Sequence, residues 1–295
     1  MASLKDIRKR IQSVKNTRQI TRAMKMVAAA KLRRAQENIV NSRAYAYRIY
    51  SLLVSLSKMQ EIKHPLLEER AEARIRVIVL AGDRGLCGSF NSSVLKKADQ
   101  FIRSKREAGI EVTVDVIGKK AFEFFKNRPG FGKQHEGLLS KSAFGPTSVV
   151  AGQILADFTD GAFDAAYLVY NEFKSAIQQT VTTERLIPIS TTQVPAGVTA
   201  LLHPSENDEY RKAIFEPSKE EVLEALIPRH FKTQLYRAVL ESMASEQGAR
   251  MSAMENATKN ASEMIDGLTL QYNKARQAAI TKELSEIVGG MEAMG

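Results

Sequence analysis

Residues Leu4–Leu56 read LKDIRKRIQSVKNTRQITRAMKMVAAAKLRRAQENIVNSRAYAYRIYSLLVSL, fifty-three positions without a proline or a glycine. Stepping alternately by three and four from Leu4 visits sixteen positions, and twelve are apolar: Leu4, Ile7, Ile11, Val14, Ala28, Leu32, Ala35, Ile39, Ala46, Ile49, Leu53 and Leu56. A seam sustained over that many heptads predicts a helix of a coiled coil. At 1.5 Å per residue it is roughly 85 Å long, too long to hide inside a compact domain. The seam is broken at Arg18, Thr21, Lys25 and Ser42. Either the coil tolerates these polar residues, or this stretch turns toward something other than its partner helix.

The partner is expected at the other end of the chain. From about Ser218 to Ile287 helical spacing returns, with Phe231, Leu235, Val239, Met254, Ala257, Ala261, Met264, Leu268 and Ala275 on one row. Pro228 is expected to kink or divide this segment. A lone amphipathic helix of such length is unstable in water. The simplest solution packs it antiparallel on the first helix, with both chain ends meeting at one tip.

Between the helices the period changes from helix to strand. His64-Pro65 ends the first helical region, and Ile75–Leu80 (IRVIVL) reads as a strand. Helices are predicted over Ser92–Ala108, Lys119–Lys126 and Thr147–Phe158, and strands over Glu111–Ile117, Ala165–Tyr170 and Val181–Ile189. Such alternation predicts a mostly parallel sheet with helices on it. Gly130–Pro146 carries four glycines and no clear period, and reads as a loop. The fold class is therefore α/β: a long antiparallel coiled coil of the terminal helices plus a central Rossmann-like α/β domain. The expected divisions are 1–60, 65–217 and 218–295.

Charge and composition narrow the function. Residues 1–58 hold fourteen Lys and Arg against Asp6 and Glu37, a net +12, whereas the rest of the chain has twenty-nine bases and thirty-one acids. So basic a helix expects an anionic partner. A single cysteine, Cys87, excludes an intrachain disulfide, and it is expected to be a small buried or half-buried thiol. No apolar run approaches the ~18 residues of a membrane span. The charged start MASLKDIRKR does not resemble a secretory signal, so an intracellular protein is expected.

The turn after the first strand, Ala81–Gly88 (AGDRGLCG), invites a nucleotide-binding reading and fails it. Its glycines stand at 82, 85 and 88, which does not fit G-x-G-x-x-G, and no G-x-x-x-x-G-K-[ST] occurs. His64, His135, His203 and His230 are scattered without metal-ligand spacing. The residues single out no catalytic centre, cofactor site or metal site. A Rossmann-type enzyme is disfavoured on the glycine spacing; a basic coiled-coil nucleic-acid-binding protein remains the alternative from charge alone.

Three segments together resemble the gamma subunit of the F-type ATP synthase. They are IRKRIQSVKNTRQITRAMKMVAAAKLRRAQ from Ile7, DRGLCGSFN from Asp83, and SEQGARMSAMENATKNASEMIDGLTLQYNKARQAAITKELSEIVGG from Ser245. The resemblance covers essentially the whole chain. It implies a non-catalytic rotor without cofactors, one copy per complex, whose coiled coil penetrates a head of alternating alpha and beta subunits. The central domain would sit against the epsilon subunit and the membrane c-subunit ring, with proton flow coupled to ATP synthesis or hydrolysis. It further implies a bacterial protein on the cytoplasmic side of the inner membrane, with no nucleic-acid partner. Carried over by motif, the partner contacts are Arg8, Arg10, Met24, Lys25 and Met26 on the first helix. On the last helix they are Arg250, Arg276, Gln277, Thr281 and Glu283. Asp83, Arg84, Gly85 and Cys87 of the turn, with the segment Tyr210–Pro217, match the foot. One departure stands out: Gly248 interrupts a helix of good formers where alanine is frequent in the family, as a packing residue or as a compliant point.

Overall fold

The computed structural model describes residues 3–59, 64–141, 144–189 and 215–292. His203 and most of Tyr210–Pro217 lie outside the described residues. The elements follow as α1 (Leu4–Met59), a short 3-10 turn (Pro65–Leu67), β1 (Arg74–Leu80), α2 (Phe90–Glu107), β2 (Glu111–Ile117) and α3 (Lys119–Phe125). Then come β3 (Phe131–His135), α4 (Leu138–Lys141), α5 (Phe144–Thr159), β4 (Ala165–Phe173), β5 (Gln179–Ile187) and α6 (Lys219–Glu292). The chain divides into two compact units, residues 1–28 with 251–295, and residues 29–250.

In the larger unit one sheet runs in the order β3-β2-β1-β4-β5. The first four strands are parallel and β5 returns antiparallel to β4. Alternate residues of β1 show why the sheet needs cover on both faces. Val77 and Val79 face Val94, Ala98 and Ile102 of α2 and Phe125 of α3. Ile78 and Leu80 face the other core, built with Ile154 and Phe158 of α5, Leu53 and Leu56 of α1, and Phe231, Leu235 and Val239 of α6. The terminal helices are thus part of this unit's own core and not appendages to it.

In the smaller unit α1 and α6 pair antiparallel: Thr258 donates to Thr21 Oγ1 at 2.8 Å, and Lys25 Nζ meets Glu255 at 2.6 Å. Ile7, Ala28, Met254, Ala261 and Ile265 are buried along the seam. Thr21 and Lys25, two of the breaks in the sequence seam, therefore face α6 and are satisfied there. The same register sets Leu4 level with about residue 275 of α6, so the two helix ends do not meet as expected. Residues 280–289 and 291 of α6 are exposed.

Two further expectations fail. Pro228 does not divide α6, which is helical through all 74 residues. The missing N–H costs one backbone bond near the helix start, while Leu226, Ile227 and Phe231 around it are buried and hold the segment in place. Gly130–Pro146 is not a loop but contains β3, α4 and the start of α5. β3 is a polar edge strand, FGKQH, with no period-2 signal to read. Its Gly132 is obligatory, because a Cβ there would lie 2.4 Å from Asp115 Oδ1. That carboxylate fills the register shift between β2 and β3 and accepts from Lys133 N at 2.8 Å. Pro146 is tolerated because it stands in the first turn of α5, where its N–H would have no partner.

Candidate functional site

The turn that follows β1 is held from several sides at once. Gly82 N donates to Asn91 Oδ1 at 2.8 Å, and Asn91 Nδ2 donates to Arg84 O and to Cys87 Sγ, both at 3.2 Å. Asp83 Oδ1 accepts from Lys119 N at 3.0 Å, which spends its charge on the start of α3. From α6, Arg250 Nη2 donates to Gly85 O at 3.2 Å and to Glu246 Oε1 at 2.6 Å. Gly82 is needed for this approach: an added Cβ would come within 3.1 Å of the Glu246 carboxyl carbon.

What the turn presents outward is therefore Arg84, Gly85 and Leu86, all exposed. Cys87 is buried as expected, and burial pushes its thiol up, against the pull of Arg250 and with the help of Glu246. It is poised neither as a nucleophile nor as an accessible contact. Leu86 is 65% exposed and adopts φ +61°, the one described non-glycine residue with positive φ. Sequence reasoning passed over it, although a large apolar residue inside a polar glycine turn is a legible signal.

The expected contacts fall into two sets. In the larger unit Asp83, Arg84, Gly85 and Cys87 come together with Arg250, whose side chain is 11% exposed and whose Nη2 is shared between Gly85 O and Glu246. In the smaller unit Arg8, Arg10 and Met26 are exposed on α1, Met24 is half-buried, and Lys25 is tied to Glu255. Arg276, Gln277, Thr281 and Glu283 are exposed on α6. Beyond them Ile280, Leu284, Ile287 and Met291 repeat at steps of four, three and four, each about half or more exposed. That spacing is helical, but it lies about one residue, roughly 100°, round the helix from the covered row Ala261, Ile265, Leu268, Tyr272, Ala275 and Ala279, and the sequence reading stopped short of it.

No group of three or more His, Cys, Asp and Glu residues able to hold a metal ion occurs among the described residues. A surface cavity of about 230 Å³ is lined by Asp99, Arg103, Arg106, Phe125 and Arg128, among others. Its one carboxylate is already paired with Arg103 and Arg128. Such a lining offers ion pairs and no reactive group.

The profile of the ATP synthase family matches residues 3–294. The ATP synthase gamma chain of Geobacter metallireducens is 47% identical over the whole of this chain and 99% of its own length. That of Anaeromyxobacter dehalogenans strain 2CP-1 is 45% identical, with both chains fully covered. Among solved structures, a chain of the central stalk and c-ring of the Tetrahymena thermophila mitochondrial ATP synthase superposes with a TM-score of 0.59. It is 25% identical, over 81% of this chain and 99% of that one. A chain from the Euglena gracilis mitochondrial enzyme gives a TM-score of 0.63 over 99% of this chain and 94% of its own, and at 20% identity shows the fold.

Proposed function

Because the chain belongs to the ATP synthase gamma-chain family, we infer that it is the non-catalytic rotor of that complex and turns inside a head of alpha and beta subunits. One observation carries the reading: α6 runs 74 residues, is paired antiparallel with α1, and ends in an apolar stripe exposed along the helix. A helix end with open apolar positions and exposed cations beside them needs a surrounding partner. The basic excess of α1 suits acidic protein surfaces without any base-reading device. Arg8, Arg10, Met26, Arg276, Gln277, Thr281 and Glu283 would meet the head, and Arg84, Gly85 and Leu86 would meet a partner at the level of the α/β body. Residues 1–60 and 218–295 act as the axle in this reading, and 65–217 as the body that engages the epsilon subunit and the c-subunit ring. The complex is membrane-associated, and this chain would lie peripherally on the cytoplasmic side of the bacterial inner membrane.

The test is reconstitution with alpha and beta subunits, the head fixed to a surface and a probe attached to the α/β body. ATP should drive rotation of the probe, while the chain alone neither hydrolyses ATP nor shows a saturable nucleotide site in equilibrium dialysis. An assembled, ATP-hydrolysing head whose probe stays still would refute the rotor reading.

A further inference from the structure

The largest fully buried side chain among the described residues is a cation. Arg237, on α6, is 0% exposed. Its Nη2 donates to Glu184 Oε2 of β5 at 2.7 Å, and its Nη1 donates to the Tyr170 hydroxyl of β4 at 3.1 Å and to Glu241 Oε1 at 3.3 Å. Its Nε donates to Gln234 at 2.8 Å, and the Tyr170 hydroxyl closes back on Glu184 at 3.0 Å. From α1, Arg43 reaches the same Glu241 oxygen at 3.3 Å and donates to Phe173 O of β4 at 3.1 Å. Two arginines face two glutamates, so the cluster is neutral. Its bonds join α6 to β5, α6 to β4, α1 to α6 and α1 to β4. Every pair among the two helices and the sheet therefore has a directional bond, and the cycle is closed.

This cluster is not needed to hold the parts together. Phe231, Leu235, Ala238 and Val239 of α6 and Leu53 of α1 are at most 1% exposed and already supply an apolar core. Burying ions among them works against stability. Burial raises Glu241 above the ordinary carboxylate range in spite of Arg237 and Arg43, and its Oε2 has no partner. Buried ion networks can often be replaced by apolar residues without loss of stability, and in some proteins what they supply is specificity of arrangement. Apolar contacts resist separation but not sliding or rotation, whereas a forked guanidinium fixes both distance and angle.

We propose that the Arg43–Glu241–Arg237–Glu184–Tyr170 cycle is the torque key of the chain, fixing the angle at which α1 and α6 are held on the sheet so that the body turns with the helices without slip. The proposal rests on the rotor reading above and makes Arg237 a positioning residue.

The experiment uses the assembled complex, with the head fixed and a probe on the α/β body. The variant is the apolar replacement of the whole cycle, Arg43→Met, Tyr170→Phe, Glu184→Leu, Arg237→Met and Glu241→Leu together, so that no member is left unpaired, compared with wild type. Expected are an unchanged melting temperature of the chain, unchanged ATP hydrolysis by the head, and an angular variance of the paused probe larger by a factor of about two or more, since directional joints have been replaced by non-directional ones. The single variant Arg237→Met takes the cation from Glu184 and leaves the buried Glu241 with Arg43 alone, and should instead lower the melting temperature. Arg237→Lys, which keeps the charge but cannot fork, should give an intermediate variance. If the whole-cycle variant does not assemble, Tyr170→Phe alone removes two bonds of the cycle at nearly constant volume and should still widen the variance. Unchanged variance in an assembled variant overturns the key. A wild-type probe that does not rotate at all overturns the rotor reading and the key with it.

Discussion

Two glycines of α6 make opposite predictions for the same substitution. Alanine in place of a mid-helix glycine gains about 1 kcal/mol from helix propensity alone. At Gly267 nothing lies within 4 Å of the position a Cβ would take, so Gly267→Ala should keep most of that gain. At Gly248 the new Cβ would stand 3.0 Å from Ala176 O, 3.3 Å from Gln179 Nε2 and 3.4 Å from Ala176 Cα. Either the β4–β5 turn or α6 must then move by a few tenths of an ångström, and both are braced. Ser175 N donates to Gln178 O at 3.0 Å within the turn, and Gln179 Nε2 holds Ala176 O at 3.1 Å. On the helix side Ser245 Oγ donates to Asn171 O at 3.1 Å, one turn from the contact. Overpacking at a braced contact costs about 1–3 kcal/mol, which cancels the propensity gain or exceeds it by up to about 2 kcal/mol. Thermal and urea unfolding of the full chain, followed by circular dichroism, should therefore show Gly267→Ala more stable than wild type and Gly248→Ala equal or less stable. This makes Gly248 a packing residue that lets α6 approach the turn. Equal stabilisation by both substitutions would refute the reasoning, because it would mean that the turn yields at no cost.

The remaining predictions concern a titration, a strained residue and a helix end. His230 is buried against Tyr50 and near Arg237, and burial lowers its pKa to about 4. A histidine depressed in the folded state contributes stability that is full above the unfolded value of 6.5 and is lost as pH falls through the window down to about 4. About 3 kcal/mol should disappear over that window. His230→Leu should flatten this acid limb in urea midpoints measured from pH 7 to 4, and an unaltered limb would show that the ring does not titrate there. Leu86→Gly should stabilise the chain by about 1 kcal/mol through relief of the left-handed backbone, read as a higher urea midpoint; a lower one would place the cause in lost side-chain packing. Deleting residues 280–295 removes the exposed stripe of α6, so the melting temperature of the isolated chain should stay within the effect of about 0.5 kcal/mol typical of unpacked surface changes; a large drop would reveal a partner for that stripe within the chain.

How legible such features were in the sequence depended on whether periodicity carries them. The seam of α1 and the apolar runs of β1, β2 and β4 were legible because burial on a fixed period repeats a residue type at a fixed spacing. β3 was not, since an edge strand held by Asp115 and Gly132 is specified by one carboxylate and one absent side chain. Pro228 misled for the converse reason: its local penalty is real, and tertiary packing around Ile227 and Phe231 outweighs it. The buried cycle is the hardest case. Gln234, Arg237 and Glu241 stand at i, i+3 and i+7, the spacing of a solvated helix face, and only the sheet laid over them makes Arg237 a core residue. The same limit applies to the expected contacts. Arg250 and Arg276 looked equivalent as basic residues of one helix, but Arg276 is exposed, whereas Arg250 is held by Gly85 O and Glu246. A partner can take Arg276 as it stands. To take Arg250 it must break two hydrogen bonds, one of them to the backbone beside Leu86, so that binding there would also remove one of the ties of the turn.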